Sequence, residues 1–494
     1  MSFDSFAAFL QLLEAQGELI RVRHEVDPVL EITEIADRCV KRHGPALLFE
    51  RPKGSDIPLA INAFASLRRV GLALGVESLD ELAARIEQLV SLPQALGAMT
   101  LADKLRTGWE VLGLLPKLKP RVVKAGRCQE LVETEHPDLG ELPVLQCWPE
   151  DGGRFITLPL VFTQDRRTGA RNCGMYRLQV YDARTTGMHW HLHKGSSRSY
   201  QDYEEHGERM EVAVALGGDP VLTYAATAPL PDGIDEMMLA GFIRNRAVEL
   251  VKCKTVDLEV PATADIVIEG YVEPGERRRE GPFGDHTGFY SLADDYPVFH
   301  VTAITRAADA LYPTMVVGKP PMEDTFLGHA TERIFLPLIR LTMPEIVDLA
   351  MPLAGVFHNC VVVAIDKRYP QHARKICYAI WGTGQMMFTK FVIVVDKHVN
   401  VQDEQEVMWH VWNSVDPARD TFLVEGPLDA LDHTCPQPAW GSKMGIDATR
   451  KLPSEGFKRE WPNELNMTPE VKARVDAMWS QLGIDLAPQP WELR

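Results

Sequence analysis

The sequence predicts a multidomain protein that joins α/β regions to a β-barrel region. Its 494 residues exceed what one ordinary core holds, and this length corresponds to roughly three domains. A middle stretch carries many short β-patterned segments, and a later stretch alternates fully apolar strands with helices. Hydrophobic residues at 45% and charged residues at 24% are typical of a folded globular chain.

Residues 1–120 are expected to form a small N-terminal α/β domain. Apolar residues at helical spacing predict a first helix that stops near Gly17. Ser78 and Glu81 have the spacing of a capping box ahead of a further helix. Short strand patterns lie between the helices, and a stretch with prolines and lysines marks a linker at the end of the region.

The remaining chain divides into three further regions. Residues 121–310 hold short β segments separated by Gly, Pro, Asp and Asn, which predicts an antiparallel barrel interrupted by one helical run at 233–246. Residues 325–451 alternate apolar strands with helices, which predicts a parallel sheet in a separate α/β domain. Residues 452–494 carry one amphipathic helix, and we expect a tail that packs on a neighbouring subunit.

Charge and cysteine content limit the kinds of partner that the protein is expected to bind and the cellular compartment in which it is expected to work. The formal net charge of -17 argues against a nucleic-acid partner, because phosphate binding needs a basic surface. Eight cysteines without a C-x-x-C pair indicate reduced thiols rather than disulfides or a cysteine zinc site. The N-terminus lacks the basic residues of a signal peptide, and no apolar run approaches the roughly 20 residues that span a bilayer. We therefore expect a cytoplasmic protein without a transmembrane segment.

The stretch "GMHWHLHKGSS", residues 187–197, raises the question of a metal site. His189, His191 and His193 alternate along it, so in an extended strand they share one face. Two β-patterned runs flank "DARTTG" and predict a hairpin. From the residues alone, a three-histidine metal site and a solvated hairpin with surface histidines are both open.

The register of this hairpin predicts which residues meet. If Tyr181 lies opposite Met188, His193 falls beside Arg177. The same register brings Asn172 near Ser197. Such a group of amide, imidazole and guanidinium suits a phosphate and a divalent ion that bridges to it.

The stretch "GERRREGPFGDHTGFY", residues 275–290, carries the second pattern. Glu280 and Asp285 flank "GPFG", whose glycines and proline favour a tight turn. Paired carboxylates push each other's pKa values apart, and a nearby arginine can hold one ionised while the other keeps a proton. The pattern therefore predicts a proton-transfer pair, with a polar surface turn as the alternative. Arginines 277–279 favour an anionic substrate.

Two single residues have a functional and a structural interpretation. Glu236 lies in the first turn of a predicted helix, where it is either a helix-start residue or a metal ligand. Lys390 precedes an apolar strand and is either a phosphate contact or a surface lysine. The chain contains no G-x-x-x-x-G-K-[ST], H-E-x-x-H or G-x-S-x-G motif, which argues against P-loop nucleotidases, zincins and α/β-hydrolases.

Several long stretches resemble the UbiD family of reversible decarboxylases. They occur in the family's order nearly from end to end, and they include "EDGGRFITLPLV", "GMYR", "ALGGDP", "DLEVPA", "IEGYVEPGE", "EGPFGDHTG", "TKFVIVVD" and "GSKMGIDATRK". The resemblance implies prenylated FMN bound in a split β-barrel domain over 121–310. It also implies a divalent ion, usually manganese, and a potassium ion at the cofactor phosphate. The C-terminal α/β domain is then an oligomerisation domain.

The resemblance assigns the site residues individually. The catalytic set falls on Arg177, Glu280 and Asp285. Cofactor contacts fall on Asn172, Met175, Tyr176, Arg177, His189, Trp190, His191, His193, Lys194, Gly195 and Lys390. The divalent ligands fall on Asn172, His193 and Glu236, and the potassium ligands on backbone oxygens of Ala225, Ala226 and Ala228. Only one of the three alternating histidines holds the family's metal position, so the three-histidine site is rejected.

The implied reaction is the reversible, non-oxidative loss of CO2 from an aromatic or α,β-unsaturated acid. Arg177 then binds the substrate carboxylate, and Asp285 donates the proton that replaces CO2, tuned by Glu280. The sequence looks closest to menaquinone-pathway and polyprenyl-4-hydroxybenzoate decarboxylases, which implies a role in quinone biosynthesis. A decarboxylase or carboxylase of a small phenolic or heteroaromatic acid is the alternative, and a flavin-assembly protein or a histidine metal hydrolase would be a different class.

The resemblance also implies partners. A flavin prenyltransferase must supply the cofactor, and the chain should assemble as a homo-oligomer, either a dimer or a hexamer. A polyprenylated substrate would bring the protein into peripheral contact with a membrane.

Overall fold

A computed structural model describes residues 2–98, 117–190, 195–230 and 233–484. The chain forms two compact units. The first comprises residues 1–338 and 428–440, and the second comprises residues 339–427 and 441–494.

Helices and strands are numbered in chain order. The helices are α1 (Phe6–Ala15), α2 (Glu31–Val40), α3 (Leu67–Leu74), α4 (Leu79–Ala98), α5 (Gly195–Glu205), α6 (Pro220–Thr227), α7 (Glu236–Arg244), α8 (Glu323–Thr342), α9 (His372–Trp381), α10 (Glu404–Ser414), α11 (Pro417–Asp420) and α12 (Pro469–Met478). The strands of the first unit are β1 (Leu19–Val22), β2 (Ala46–Phe49), β3 (Leu59–Ile61), β4 (Arg121–Val123), β5 (Leu131–Glu133), β6 (Arg154–Ile156), β7 (Leu160–Gln164), β8 (Arg171–Gly174), β9 (Leu178–Val180), β10 (Thr185–Gly187), β11 (Met210–Leu216), β12 (Glu249–Lys252), β13 (Glu259–Pro261), β14 (Ile266–Glu280), β15 (Phe283–Gly284), β16 (Tyr290–Ser291), β17 (Asp294–Arg306) and β18 (Tyr312–Pro313). The later strands are β19 (Ile346–Ala350), β20 (Cys360–Ile365), β21 (Phe391–Asp396), β22 (Thr421–Pro427) and β23 (Trp440–Asp447).

The N-terminal part has the predicted helices at the predicted signals. Helix α1 ends two residues before Gly17, which has a left-handed φ of 72°. The capping box ahead of α4 is confirmed, because Glu81 Oε1 accepts the Ser78 N–H at 3.1 Å and Ser78 Oγ accepts the Asp80 N–H at 3.2 Å. Strand β18 follows the barrel region in sequence but pairs in parallel with β3. The N-terminal sheet and the barrel therefore share one continuous core.

The predicted barrel is a curled sheet of nine strands in the order β6-β9-β10-β17-β14-β11-β7-β8, with β5 added beside β17. The strand pairs within it are antiparallel, as expected. Two register shifts between β14 and β17 mark bulges, which bend a strand and increase its twist. The long strand β14 thereby carries Glu280 to the end of the sheet.

The barrel region contains more helix than the sequence predicted. We expected one helical run, and α7 corresponds to it, but α5 and α6 are also helical. Seven of the eight residues of α6 are buried, so the helix has no polar face and therefore no amphipathic period. The expectation of a single helix in this region was wrong, and the burial of α6 is the reason why the sequence pattern did not reveal that helix.

The second unit contains a five-stranded sheet in the order β19-β20-β21-β23-β22. Strands β20, β21 and β23 are parallel, as the apolar runs predicted, whereas the edge strand β19 is antiparallel to β20. Helix α12 forms in the predicted tail and buries none of its residues. Among the described residues, no helix is both long and apolar enough to cross a membrane.

Candidate active site

The hairpin that carries the predicted site has a different register from the expected one. Thr186 pairs with Val180, and the Tyr181 N–H donates to the Thr185 oxygen at 3.0 Å. The proposed pairing of Tyr181 with Met188 was therefore wrong. The observed register places His189 opposite Arg177, whose carbonyl accepts the His189 N–H at 3.3 Å.

Arg177 lies between the two predicted carboxylates. Its Nε and Nη2 donate to Glu280 Oε1 at 3.1 and 2.9 Å, and its Nη1 donates to Asp285 Oδ2. A second Nη2 contact reaches Ser291 Oγ at 3.1 Å. Four of the five N–H bonds of the guanidinium are thus engaged, and one on Nη1 has no partner among the described residues. The structure brings the three predicted catalytic side chains together.

Aromatic rings enclose this cluster. The Arg177 guanidinium carbon lies 4.5 Å from the ring centre of Phe283 and 6.0 Å from that of Phe155. The ring of Tyr296 lies 4.3 Å from that of His189. At most 9% of each of the three catalytic side chains is exposed, so their charges interact in a medium of low polarity.

His189 contacts the first carboxylate. Its Nδ1 lies 2.9 Å from Glu280 Oε2 and 3.2 Å from Oε1. Burial, together with the charge of Arg177, lowers the pKa of His189 below its ordinary value. The neutral imidazole therefore donates a hydrogen bond from Nδ1 to Glu280. Burial alone would raise the pKa of Glu280, but His189 and Arg177 outweigh it and lower that pKa.

The second carboxylate is also held ionised. Burial opposes ionisation, but Arg177 and His286 hold the pKa of Asp285 well below its ordinary range. Asp285 Oδ1 accepts both the backbone N–H and the Nδ1 of His286, each at 2.8 Å. We had expected one of the two acids to keep a proton. Both are carboxylates at neutral pH because the arginine lies between them and each has a histidine partner.

Buried polar side chains fix the turn between the two carboxylates. Asp151 Oδ1 accepts the Gly284 N–H at 2.7 Å, while its Oδ2 accepts the Cys147 and Trp148 N–H groups at 3.0 and 2.8 Å. Gln179 Oε1 accepts the Gly281 N–H at 2.7 Å. Sequence reasoning missed both residues as well as His286, although Asp151 belongs to the stretch "EDGG" and His286 follows Asp285 directly.

The predicted divalent-metal ligands are only partly described. Asn172 lies on β8, and Glu236 is the first residue of α7. The Glu236 carboxylate accepts the N–H of Cys173, the neighbour of Asn172, at 3.0 Å, so these two predicted ligands lie in adjacent segments. Burial raises the pKa of Glu236 to about 7, because it disfavours the charged form of the carboxylate. His193 lies outside the described residues.

The predicted cofactor residues fit a flavin where the structure describes them. Tyr176 and Trp190 are buried, and Met175 packs against the core. Trp190 Nε1 is buried without a hydrogen-bond partner among the described residues, which suits a polar ligand atom. His191 and Lys194 lie outside the described residues, and Gly195 begins α5. Lys390 precedes β21 in the second unit, so its contact with the cofactor remains a prediction.

The predicted potassium ligands lie at the C-terminal end of α6. The carbonyl of Ala225 accepts the Ala228 N–H at 3.2 Å, and the carbonyl of Ala228 accepts the Leu230 N–H at 2.9 Å. Ala226 lies between them and is buried. Helix C-terminal carbonyls have the polarity that a cation requires, and each retains a second lone pair.

Comparison with known proteins identifies the family. Models of 3-octaprenyl-4-hydroxybenzoate carboxy-lyase match the chain in three parts: the N-terminal domain at residues 10–86, the Rift-related domain at residues 121–320 and the C-terminal domain at residues 325–448. The chain belongs to the UbiD family. UbiD family members are carboxy-lyases that use prenylated FMN, and this protein is one of them.

Relatives match the UbiD-family chain over almost its whole length. An uncharacterized protein of Archaeoglobus fulgidus is 50% identical over 98% of this chain and 99% of its own. The UbiD-class enzyme HmfF of Pelotomaculum thermopropionicum, solved with FMN, is 30% identical with a TM-score of 0.78, covering 95% of this chain and 98% of its own. An evolved dimeric form of HmfF was solved with prFMN, at 29% identity and a TM-score of 0.76 over the same shares. The vanillic acid decarboxylase of Sedimentibacter hydroxybenzoicus in its closed form is 26% identical with a TM-score of 0.84, covering 98% and 99%.

Proposed function

We propose that this UbiD-family enzyme reversibly removes CO2 from an aromatic or α,β-unsaturated acid of quinone biosynthesis. The observation that carries the proposal is the buried cluster in which Arg177 contacts both Glu280 and Asp285. Family membership supports the reaction class. The choice of a polyprenylated hydroxybenzoate or a naphthoate as substrate rests on the resemblance of the sequence to quinone-pathway members.

One comparison favours a second substrate class. The relative with the TM-score of 0.84 is named for vanillic acid, a small phenolic acid. Decarboxylation or carboxylation of such an acid would need the same residues, because both directions share one transition state. The carbonyl of Phe289 accepts the Asp285 N–H at 3.1 Å, and the exposed ring of Phe289 lies 4.1 Å from that of His433 in the segment 428–440. We propose that substrate size is selected there.

The cofactor and its ions have assigned residues in the proposal. When bound, prenylated FMN supplies an electrophilic centre that accepts the electron pair left by the departing CO2. The proposed contacts with the flavin are Met175, Tyr176, Arg177, His189, Trp190, His191, Lys194, Gly195 and Lys390. Manganese would be held by Asn172, His193 and Glu236, and potassium by the backbone oxygens of Ala225, Ala226 and Ala228. The burial of the Glu236 carboxylate supports its assignment to the metal, and Trp190 Nε1, which is buried with no hydrogen-bond partner among the described residues, supports the flavin contact.

Arg177 is proposed to hold the substrate carboxylate. Its one N–H without a partner among the described residues is on Nη1, next to Asp285. A substrate carboxylate that accepts a hydrogen bond from this N–H lies beside Asp285. Asp285 is the acid that must protonate the substrate carbon after CO2 has left. A bidentate contact of Arg177 with the substrate carboxylate would require Ser291 to give up its hydrogen bond with Nη2.

Asp285 is proposed to deliver the proton that replaces CO2. This choice between the two acids follows the family resemblance, because each acid is held through both oxygens by Arg177 and a histidine. In the proposal, Glu280 maintains the position and charge of the arginine. Loss of CO2 from a carboxylate leaves a carbanion equivalent that takes up one proton, so the balance requires one proton from this acid per turnover.

Partners and compartment complete the proposal. The enzyme would work in the cytoplasm, receive its cofactor from a flavin prenyltransferase and assemble as a dimer or hexamer. The evolved dimeric form of HmfF supports an oligomer. Peripheral contact with a membrane is proposed only for a polyprenylated substrate.

The test is a decarboxylation screen with protein co-expressed with a flavin prenyltransferase. The panel contains hydroxybenzoates with and without a prenyl chain, a naphthoate and vanillate, and CO2 release is measured. Release from the prenylated or naphthoic acids alone supports the quinone pathway, and release from vanillate alone supports the second class. Full cofactor loading without release from any acid would refute both.

A further inference from the structure

The pair formed by Asp285 and His286 poses a question about the proton. Asp285 contacts Arg177 through Oδ2 and His286 through Oδ1, and both side chains are almost fully buried. A carboxylate held between a guanidinium and an imidazole is a poor place to store a proton, because both partners favour its ionised form. A proton donor with this geometry needs a second group that keeps the proton nearby.

The surroundings of His286 make it that second group. Its Nδ1 lies 2.8 Å from Asp285 Oδ1, and the carboxylates of Asp324 and Asp429 add negative potential at the ring. Asp324 Oδ1 is buried and has no hydrogen-bond partner among the described residues, and burial raises the pKa of Asp324 to about 7 although His286 opposes that rise. Burial alone would lower the pKa of His286, but its hydrogen bond to Asp285, with the charges of Asp285, Asp324 and Asp429, raises it above its ordinary value. Asp285 is therefore the partner that holds the proton on His286.

The other histidine at the site has the opposite environment. His189 also contacts a carboxylate, Glu280, but it lies beside Arg177 and is neutral. Two histidines therefore flank one arginine and two acids, but the charge of Arg177 lowers the pKa of His189, whereas no basic side chain is among the groups that set the pKa of His286. The pKa values of the two imidazoles therefore shift in opposite directions, downward for His189 and upward for His286.

We propose that His286 stores, as an imidazolium, the proton that Asp285 passes to the substrate carbon. In this step the His286 Nδ1–H bond breaks as the proton moves to Asp285 Oδ1. The Asp285 O–H bond then breaks as a C–H bond forms at the carbon that lost CO2. The imidazole regains its proton from water. His286 acts through Asp285 and is a positioning residue, and this role rests on the proposed function.

The charge state of His286 can be measured without the cofactor. The full-length, cofactor-free protein is labelled with 15N-histidine, and the His286 signals are assigned by comparison with His286→Gln. His286 is expected to titrate above the ordinary histidine range, and Asp285→Asn should move its midpoint down by about one pH unit or more. A His286 that titrates at or below the ordinary value in the wild type overturns the proposal, whether or not any variant is active.

The consequence for turnover is measured with the loaded enzyme. His286→Gln keeps a hydrogen-bonding side chain but cannot carry the proton, so kcat should fall about a hundredfold with little change in KM. The alkaline limb of the wild-type kcat profile, where the imidazolium is lost, should also disappear. The matched control is His300→Gln, which alters another carboxylate-paired histidine, 2.6 Å from Glu276 on the barrel strands, and should behave as the wild type.

The outcomes separate this proposal from the proposed function. If the loaded wild type decarboxylates no acid, the proposed function fails while the titration still decides where the proton lies. If the wild type is active and His286→Gln keeps its kcat and its alkaline limb, the storage role is overturned and the function stands. If His286→Gln does not fold, His286→Asn takes its place in the assignment of the signals, and the titration of the wild type and of Asp285→Asn decides.

Discussion

Arg177 Nη2 lies 2.9 Å from Glu280 Oε1, although 103 residues separate the two in the sequence. Strand β9 begins immediately after Arg177, and the long strand β14 ends at Glu280, so the curled sheet brings the two together. A buried pair of this kind is costly to break from one side, because the remaining charge has no partner. The pair therefore positions the arginine and makes both residues sensitive to substitution.

Replacement of Arg177 by lysine should abolish most of the turnover while leaving the flavin bound. A lysine keeps the positive charge, but its single ammonium group cannot meet Glu280, Asp285 and Ser291 in the planar arrangement of the arginine. We expect kcat to fall by about a hundredfold or more. The matched control is Arg278→Lys, since Arg278 forms an exposed ion pair with Asp182 at 3.6 Å. Equal rates in the two variants would contradict the assigned role.

Asp151→Asn should lower both stability and turnover. The amide keeps one acceptor oxygen, so it cannot serve Gly284 on one side and Cys147 with Trp148 on the other. We expect a loss of about 1 to 3 kcal/mol in the free energy of unfolding and a lower kcat, because Gly284 precedes Asp285. Urea unfolding measures the first effect. The control is Asp165→Asn, which caps an exposed turn and should cost much less.

Glu236→Gln should release the divalent ion from the holoenzyme. Removing the negative charge leaves two neutral ligands in the proposed set, and a hard cation binds such a set weakly. Manganese content, measured by elemental analysis, should fall to about a tenth or less of the wild-type value. Glu249→Gln is the control, because that carboxylate pairs with the exposed Arg121 at another strand end. Unchanged manganese in Glu236→Gln would remove this residue from the metal site.

Manganese binding should depend on pH with a defined sign. Burial raises the pKa of Glu236 to about 7, so in the metal-free protein a proton competes with the ion below that pH. Protonation of Glu236 alone should lower the apparent manganese affinity about tenfold for each pH unit below about pH 7. Above that pH, the contribution of Glu236 to the pH dependence should disappear. Calorimetric titration across this range measures the slope. In Glu236→Gln the slope should decrease by the contribution of one proton, and an identical slope would disprove the assignment.

Much of the site follows from the sequence because its residues lie in uninterrupted stretches. Glu280, Asp285 and the turn between them occupy one short segment, so their proximity needed no knowledge of the fold. Arg177 was assigned by resemblance, and the structure brings it to both acids. The hairpin register failed because the side chain of Asp182 closes the turn locally, accepting from the Arg184 N–H and the Thr185 hydroxyl at 3.0 and 2.6 Å. A register obtained by counting residues along two strand patterns does not include this turn at Asp182.

The protonation of the acids could not be predicted from sequence spacing. Two carboxylates close together suggested that one keeps a proton, but the number of donors around each decides the outcome. Arg177 donates to both, and His189 and His286 each add a donor, which only the folded structure reveals. Helix α6 was missed because its burial leaves no amphipathic period in the sequence. Its start signals are nevertheless visible, with Asp219 at the N-cap and Pro220 at the first helical position.

The central claim is that the Arg177 cluster performs decarboxylation with prenylated FMN. The most direct measurement compares CO2 release by the wild type and by Glu280→Gln, both co-expressed with a flavin prenyltransferase and shown by absorbance to carry the same flavin. The account predicts release from at least one aromatic acid by the wild type and none by the variant. A variant that releases CO2 at the wild-type rate would contradict it.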